Sequence, residues 1–281
     1  MKILLTGASS DTGLKIAKKI IENSNNFDQL ILLSSSSSLS EKVDINKNEK
    51  VKIIHQNLLD PFQDKLKLIL KDIDILIHAA WIRPNNSLNA IDYNCKVAQN
   101  FLDNINKKTK IIFLSSISGY PKSLSYYGKS KFKVSEIFYN NRETCVFVCG
   151  LIITNKEKTS FYMLKKIFEK LPFLIKFGGK TKVLFINSDK VLKEIYNKIF
   201  DFKKGVHRLY ENEDTSIDLF AKKNFEIRQK ISLNISLFLK LFLLISKYLN
   251  YIPGVNKVVD KIIILTTIDK LEADEFTKKG F

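Results

Sequence analysis

Short apolar runs recur along the first two thirds of the chain, separated by stretches of helical periodicity. The runs at 2–5, 30–33, 51–55, 73–78, 110–114, 145–148 and 183–186 are rich in β-branched residues. They show little polar alternation, the pattern of strands buried on both faces. Between the first two, Leu14, Ala17 and Ile21 fall on one face of a helix predicted over 13–23. Further helices are predicted at 61–70, 88–104, 127–139, 159–171 and 189–200. This alternation specifies an α/β fold, a Rossmann-like doubly wound parallel sheet with a smaller C-terminal lobe. After Phe202 the pattern changes to a helix at 218–230 and then a long apolar segment. Asn234, Lys240, Lys247 and Asn250 interrupt that segment, so no run approaches the roughly 18 apolar residues of a membrane span. It reads as a helix packed within the lobe; a helix lying on a membrane surface is the alternative.

Composition narrows the class. The 281 residues suffice for a full core, and 45% apolar with 27% charged residues is ordinary for a globular protein. The net charge of +17 comes almost wholly from lysine, since only Arg83, Arg142, Arg208 and Arg228 are arginines. The lysines are spread along the chain, with no arginine-rich tract or aromatic–basic ladder, which argues against nucleic-acid binding. Attraction to an anionic membrane surface stays open. Cys95, Cys145 and Cys149 lack metal-ligand spacing with a histidine, and buried thiols are expected for the last two. A strand-like KILLTG directly after Met1 leaves no room for a signal peptide, so a cytoplasmic location is expected.

The first predicted strand runs into LLTGASSDTGLKI. A strand, tight turn and helix form an anion site, because helix N-terminal N–H groups and the helix dipole favour negative charge. Gly7 and Gly13 fit the outer positions of a TGxxGxxG turn, with Ser10 in place of the middle glycine. In the other spacing, TGxxxGxG, Asp11 takes that place. The first alignment is preferred, because serine can hydrogen-bond a phosphate that a carboxylate would repel. Asp11 is then expected to point to solvent or to help cap the helix. The acid that grips an adenosine ribose is expected at the end of the second strand. Ser34, Ser35 and Ser36 stand there instead. Hydroxyls without an acid tolerate a 2′-phosphate, which favours NADP slightly over NAD.

The fifth strand ends in IIFLSSISGY, and YYGKSK follows. Tyr127 and Lys131, four apart, share a helix face. A neighbouring cation favours the phenolate of a tyrosine whose ordinary pKa is about 10, and Ser116 at the strand end could hold the reacting oxygen. The spacing alone says little. Ten Tyr and 42 Lys (46 basic residues less the four arginines) in 281 positions predict about 1.5 such pairs by chance, and two occur, the other being Tyr162/Lys166. Only the Tyr127 pair follows a strand ending in paired serines.

Taken in order, these pieces resemble an extended short-chain dehydrogenase/reductase of the NAD-dependent epimerase/dehydratase family. They are TGASSDTG, NLLD (57–60), HAA (78–80), Asn94, SSIS (115–118), YGKSK (127–131), FINSDKV (185–191) and the closing LTTIDKLEADEFTKKGF. The resemblance implies that Tyr127 is the catalytic acid/base, that Lys131 holds the nicotinamide ribose and tunes Tyr127, and that Ser116 orients the substrate oxygen. The implied cofactor-binding set is Gly7, Ser9, Ser10, Asp11, Thr12 and Gly13 in the turn, Ser34, Asn57 and Leu58 toward the adenosine, and Ala79, Ala80 and Asn94 beside the cofactor, with Tyr127 and Lys131. CGLI (149–152) stands where that family carries an Arg-Pro pair. Ile117 and Ser118 follow Ser116 where the family's dehydratases carry Asp-Glu, which disfavours dehydration. The implied enzyme is an NAD(P)-dependent epimerase or reductase of a nucleotide-linked sugar, acting at a sugar carbon, C4 fitting best. The alternative is a non-catalytic NAD(P)-binding sensor of the same fold. The expected division is a dinucleotide-binding domain at 1–155 and 181–207 and a substrate lobe at 156–180 and 208–281. Peripheral membrane association and a homodimer stay open.

Outside that set, His78 reads as a strand-end packing residue, and His55 and His207 have no metal partner visible in sequence. Trp81 reads as either pocket wall or packing. Phe161, Tyr162, Phe168, Phe173 and Phe177 read as lobe core.

Overall fold

The computed structural model describes residues 1–36, 39, 48–84, 86–154, 159–170, 174–176, 184–211, 217–226, 232–234 and 260. Among the described residues, eleven short strands alternate with helices. The strands are β1 (Lys2–Thr6), β2 (Gln29–Ser34), β3 (Val51–His55), β4 (Ile75–His78), β5 (Lys110–Ser116), β6 (Thr144–Cys149), β7 (Leu151–Ile153), β8 (Leu174–Lys176), β9 (Phe185–Asn187), β10 (Gly205–Leu209) and β11 (Ser232–Asn234). The helices are α1 (Asp11–Ile21), α2 (Asp64–Leu70), α3 (Ala90–Asn104), α4 (Tyr126–Asn141), α5 (Ser160–Lys170), α6 (Ser188–Phe200) and α7 (Ile217–Asn224).

Seven strands form one parallel sheet in the order β10-β6-β5-β4-β1-β2-β3. The chain winds outward from β1 in one direction, returns, and winds outward in the other. The order therefore reverses between β1 and β4, where an open α/β sheet forms a crevice at the carboxyl ends of its strands. The expected α/β doubly wound sheet is thus present. Two hydrophobic cores cover its faces. One packs α1 and α6 through Leu14, Ala17, Ile195 and Ile199; the other packs α2, α3 and α4 through Leu66, Phe101, Val134 and Phe138.

One strand differs from expectation. The run predicted at 183–186 overlaps a strand, β9, but β9 pairs with β7 in a separate two-stranded sheet. The seventh strand of the main sheet is β10, whose GVHRL mixes polar and apolar residues. β10 lies at the sheet edge, so it has one strand neighbour and escapes the continuous apolar pattern of the inner strands. The lobe has its own core, where Phe161 and Phe168 pack with Phe185, Phe220 and Phe225. Tyr162 is half-buried, and Phe173 and Phe177 lie outside the described residues. Of the C-terminal apolar segment only Ser232–Asn234 and Asp260 are described; the former pairs with β8 as a strand rather than starting a helix. Cys145 and Cys149 are buried thiols, as expected. Among the described residues no helix is long and apolar enough to cross a membrane.

Phe101 of α3 is fully buried, its ring 5.0 Å from Phe62 and 5.5 Å from His78. Phe101→Ala is expected to destabilise the protein by about 3–5 kcal/mol, measured by urea denaturation.

Candidate active site

The turn after β1 is built by close backbone approach. Gly7 has φ +69°, and a Cβ there would sit 2.7 Å from the Ala80 Cα. A Cβ on Gly13 would sit 2.1 Å from the Gly7 carbonyl oxygen. Both glycines are therefore sterically required, and they bring the α1 N-terminus against the loop that follows β4. Ser10 is the N-cap of α1: its Oγ accepts from the Gly13 N–H at 3.0 Å and donates to the Gly7 carbonyl at 2.8 Å. The serine in the middle-glycine place thus closes the turn on itself. Ser9 and Thr12 flank it, both half-buried.

Asp11 points neither to solvent nor to a cap. Its side chain is only 16% exposed; Oδ2 accepts from Thr154 Oγ1 at 3.0 Å and lies 4.0 Å from Lys15 Nζ. The carboxylate lies in the first turn of α1, where the dipole favours it. Its tie to Thr154, 143 residues away, is a tertiary contact that the turn sequence does not encode.

Toward the adenosine end, Ser34 is buried and its Oγ accepts from the Ser36 N–H at 3.0 Å. Asn57 is exposed and its Oδ1 accepts from the Leu59 N–H, while Leu58 turns into the core. The neighbouring Gln56 N–H donates to the Ser34 carbonyl, tying the two strand ends together. On the other side of the switch, the Ala80 N–H donates to Thr6 Oγ1, which also bonds His78 Nδ1 at 3.1 Å. His78 is buried among Phe101, Phe113 and Phe138. Burial, and secondly the Lys131 charge, lower its pKa from 6.5 to about 3, so it is neutral, a packing residue as expected.

Ser116 ends β5, and Tyr127 and Lys131 lie in the first two turns of α4. Tyr127 is hydrogen-bonded to Ser116. Ser125 caps α4 by accepting from the Gly128 N–H at 2.8 Å. Asp260, more than 130 residues downstream, accepts from the Tyr126 N–H at 2.6 Å and the Tyr127 N–H at 3.2 Å. Burial raises the Asp260 carboxyl, and these two N–H groups oppose the rise. Asn94 of α3 is buried and acts as a bracket: its Oδ1 accepts from the Ile82 N–H, and its Nδ2 donates to the Ile82 and Ala90 carbonyls. Asn94 therefore fixes the strap from Trp81 to Arg83.

Burial dominates the electrostatics of the Tyr127–Lys131 pair. Burial is the largest influence on Tyr127 and raises its phenol; Arg83 and the Ser116 hydrogen bond lower it. The phenol is therefore protonated at neutral pH. Lys131 is 5% exposed, its Nζ donates to the Leu114 carbonyl at 2.6 Å, and burial lowers it from 10.5 to about 7. The cation that lowers the phenol is Arg83. Sequence reasoning missed Arg83, although an Arg-Pro step in the loop that follows a strand end was a visible signal. Asp260 left no signal, because its partner is a helix end distant in sequence. The second spaced pair also stacks, with Lys166 Nζ 4.6 Å from the Tyr162 ring, but it lies on α5 in the lobe. Among the described residues no cluster of three or more His, Cys, Asp or Glu could hold a metal.

No family model matches the chain, and no curated protein matches it by sequence. Solved structures do. A nucleoside-diphosphate-sugar epimerase from Staphylococcus aureus aligns over 99% of this chain and 95% of its own, at 14% identity and a TM-score of 0.67. UDP-glucose 4-epimerase from Thermotoga maritima, solved with UDP-glucose, aligns over 83% and 86%, at 16% identity and a TM-score of 0.62. dTDP-glucose 4,6-dehydratase from Bacillus anthracis, solved with NAD, aligns over 83% and 84%, at 14% identity and a TM-score of 0.61. These neighbours are sugar epimerases and dehydratases of the extended short-chain dehydrogenase/reductase family, and this chain shares their fold.

His78 sets a pH dependence of stability. A histidine whose folded pKa lies below its unfolded value loses stability as pH falls, because the unfolded chain takes up the proton first. Stability is expected to fall between about pH 6.5 and about pH 3 from this group, and His78→Gln to flatten that slope in denaturation curves. The Lys131 contribution falls in a separate window, between about 7 and 10.5.

Proposed function

We propose that the protein is an NAD(P)-dependent enzyme acting on a nucleotide-linked sugar, as an epimerase or a reductase at a sugar carbon, C4 being favoured. The observation that carries this reading is the pairing of Tyr127 and Lys131 on one face of α4, with Lys131 Nζ 5.9 Å from the Tyr127 ring, beside the end of β5 that carries Ser116. Lys131 lies one helical turn behind, and the Gly7–Gly13 turn lies two strands away across the switch point.

The residues fit a dinucleotide. The two glycines let the turn close tightly against Ala80, which sets the α1 N-terminus at the crevice, where its N–H groups and dipole favour phosphate oxygens. Gly7, Ser9, Ser10, Thr12 and Gly13 would hold the pyrophosphate there, with Asp11 braced on Thr154. Ser34, Asn57 and Leu58 would meet the adenosine end, and Ala79, Ala80 and Asn94 would wall the nicotinamide end. When bound, the nicotinamide gives or takes the hydride. The chain's own part is proton handling. Ser116 and Tyr127 grip the sugar oxygen, and Tyr127 delivers its proton to that oxygen or removes it. Burial keeps the proton on the phenol until a cation favours its release. Arg83 stands on the side of release and Asp260 opposes it.

The absence of an acid at the end of β2 supports NADP slightly over NAD. The division into a dinucleotide-binding domain (1–155, 181–207) and a substrate lobe (156–180, 208–281) belongs to the same proposal, as do a cytoplasmic location and peripheral membrane association through the C-terminal apolar segment. The paired Ile117 and Ser118 after Ser116 support epimerisation or reduction over dehydration.

The test mixes purified protein with NADPH or NADH and a 4-keto nucleotide sugar and follows loss of reduced-cofactor absorbance. Oxidation identifies a reductase. No oxidation, with interconversion of a sugar pair, identifies an epimerase. Dinucleotide binding without either reaction would leave only a binding protein. Tyr127→Phe is expected to lower turnover about 10²–10⁴-fold while dinucleotide affinity changes little. Gly13→Ala is expected to weaken dinucleotide binding by about tenfold or more, the equivalent of roughly 1.4 kcal/mol or above, as read by calorimetry.

A further inference from the structure

Trp81 is the single tryptophan of the chain, and it sits where Lys131 and Tyr127 meet. Its ring centroid lies 3.8 Å from Lys131 Nζ. It also lies 5.8 Å from the Tyr127 ring, the two rings nearly perpendicular at 77°. Phe113 flanks the ammonium at 4.9 Å, and the Leu114 carbonyl accepts its proton at 2.6 Å. The indole is held in place from behind, because Asn94 brackets the backbone of Ile82.

The charge balance makes this contact matter. Among the described residues, the ionisable groups acting on Lys131 are Cys149 at the end of β6 and Arg83 on the same strap, with no carboxylate between them. His78 of β4 is neutral, and burial pushes the Cys149 thiol up to about 12, so it carries no charge near neutrality. A buried ammonium with no anionic partner among the described residues depends on what else attracts it. Here that is one carbonyl and three aromatic rings, Trp81 the nearest, and a desolvated indole face is the strongest cation–π acceptor among side chains. An ammonium has three donors. One is on the Leu114 carbonyl, so the two that remain are those over which the aromatic faces and the hydroxyls of a ribose would compete.

We propose that Trp81 is a positioning residue for the Tyr127–Lys131 pair: its indole face holds the Lys131 ammonium inside the crevice, and a dinucleotide ribose takes the ammonium over from the indole. The handover rests on the dinucleotide reading above; the indole–ammonium contact does not.

Because no other indole is present, tryptophan emission reports this contact directly. The ligand-free protein is expected to show an emission transition with a midpoint near 7, where Lys131 loses its proton. Lys131→Met should abolish the transition. Lys131→Arg keeps a cation at every pH, so it should also give flat emission, and it serves if the Met variant does not fold. Tyr127→Phe should keep the transition. Adding NAD⁺ should change the wild-type emission, and change that of Lys131→Met much less. Flat wild-type emission across this pH range overturns the contact, as does a transition that survives in both Lys131 variants. NAD⁺ that binds by calorimetry yet leaves emission unchanged overturns the handover. NAD⁺ that does not bind at all overturns the handover and the proposed cofactor together, while the ligand-free titration still decides the contact.

Discussion

Everything at the carboxyl edge of the sheet depends on one steric constraint, the approach of the β1 turn to the end of β4. At Gly7 the backbone leaves no room for a methyl group beside Ala80, and at Gly13 the helix start rests on the Gly7 carbonyl. Only residues without a side chain permit this. The contact draws the N-terminus of α1 to the switch point between β1 and β4, where the sheet order reverses. Thr6 then reaches both His78 and Ala80. The two halves of the sheet are joined at the place where a ligand would lie.

Burial governs the chemistry on the other side of that crevice. The same desolvation drives His78 and Lys131 down and the Tyr127 phenol up. Each shift favours the neutral form. At Tyr127 the influences that oppose burial come from elements distant in sequence, Arg83 after β4 and the Ser116 hydroxyl at the end of β5, while Asp260 from the C-terminal segment adds to the rise. Asp260 also satisfies two N–H groups of the first turn of α4, so the same carboxylate that caps the helix bears on the tyrosine it presents.

The lysine-rich composition has a consequence for reading such a site. With 42 lysines, a Tyr-x-x-x-Lys spacing arises by chance, and the structure contains two such pairs, each with its lysine near the tyrosine ring. Local geometry does not distinguish them. What distinguishes Tyr127 from Tyr162 is Ser116 on one side and Trp81 on the other, and both come from other strand ends.

The sequence by itself determined the sheet's inner strands, the helices between them and the glycine turn. Those features are local: apolar runs buried on both faces, helical periodicity, and the steric demand of a tight turn are all written within a few residues. The edge strand β10 escaped because an edge buries less and its pattern is mixed. The orientation of Asp11 toward Thr154, the bracket from Asn94 to Ile82, the cover of Trp81 over Lys131 and the cap from Asp260 were decided by tertiary structure alone. Each joins residues on separate elements, and where a side chain finds its partner depends on how those elements pack, which no window of sequence contains.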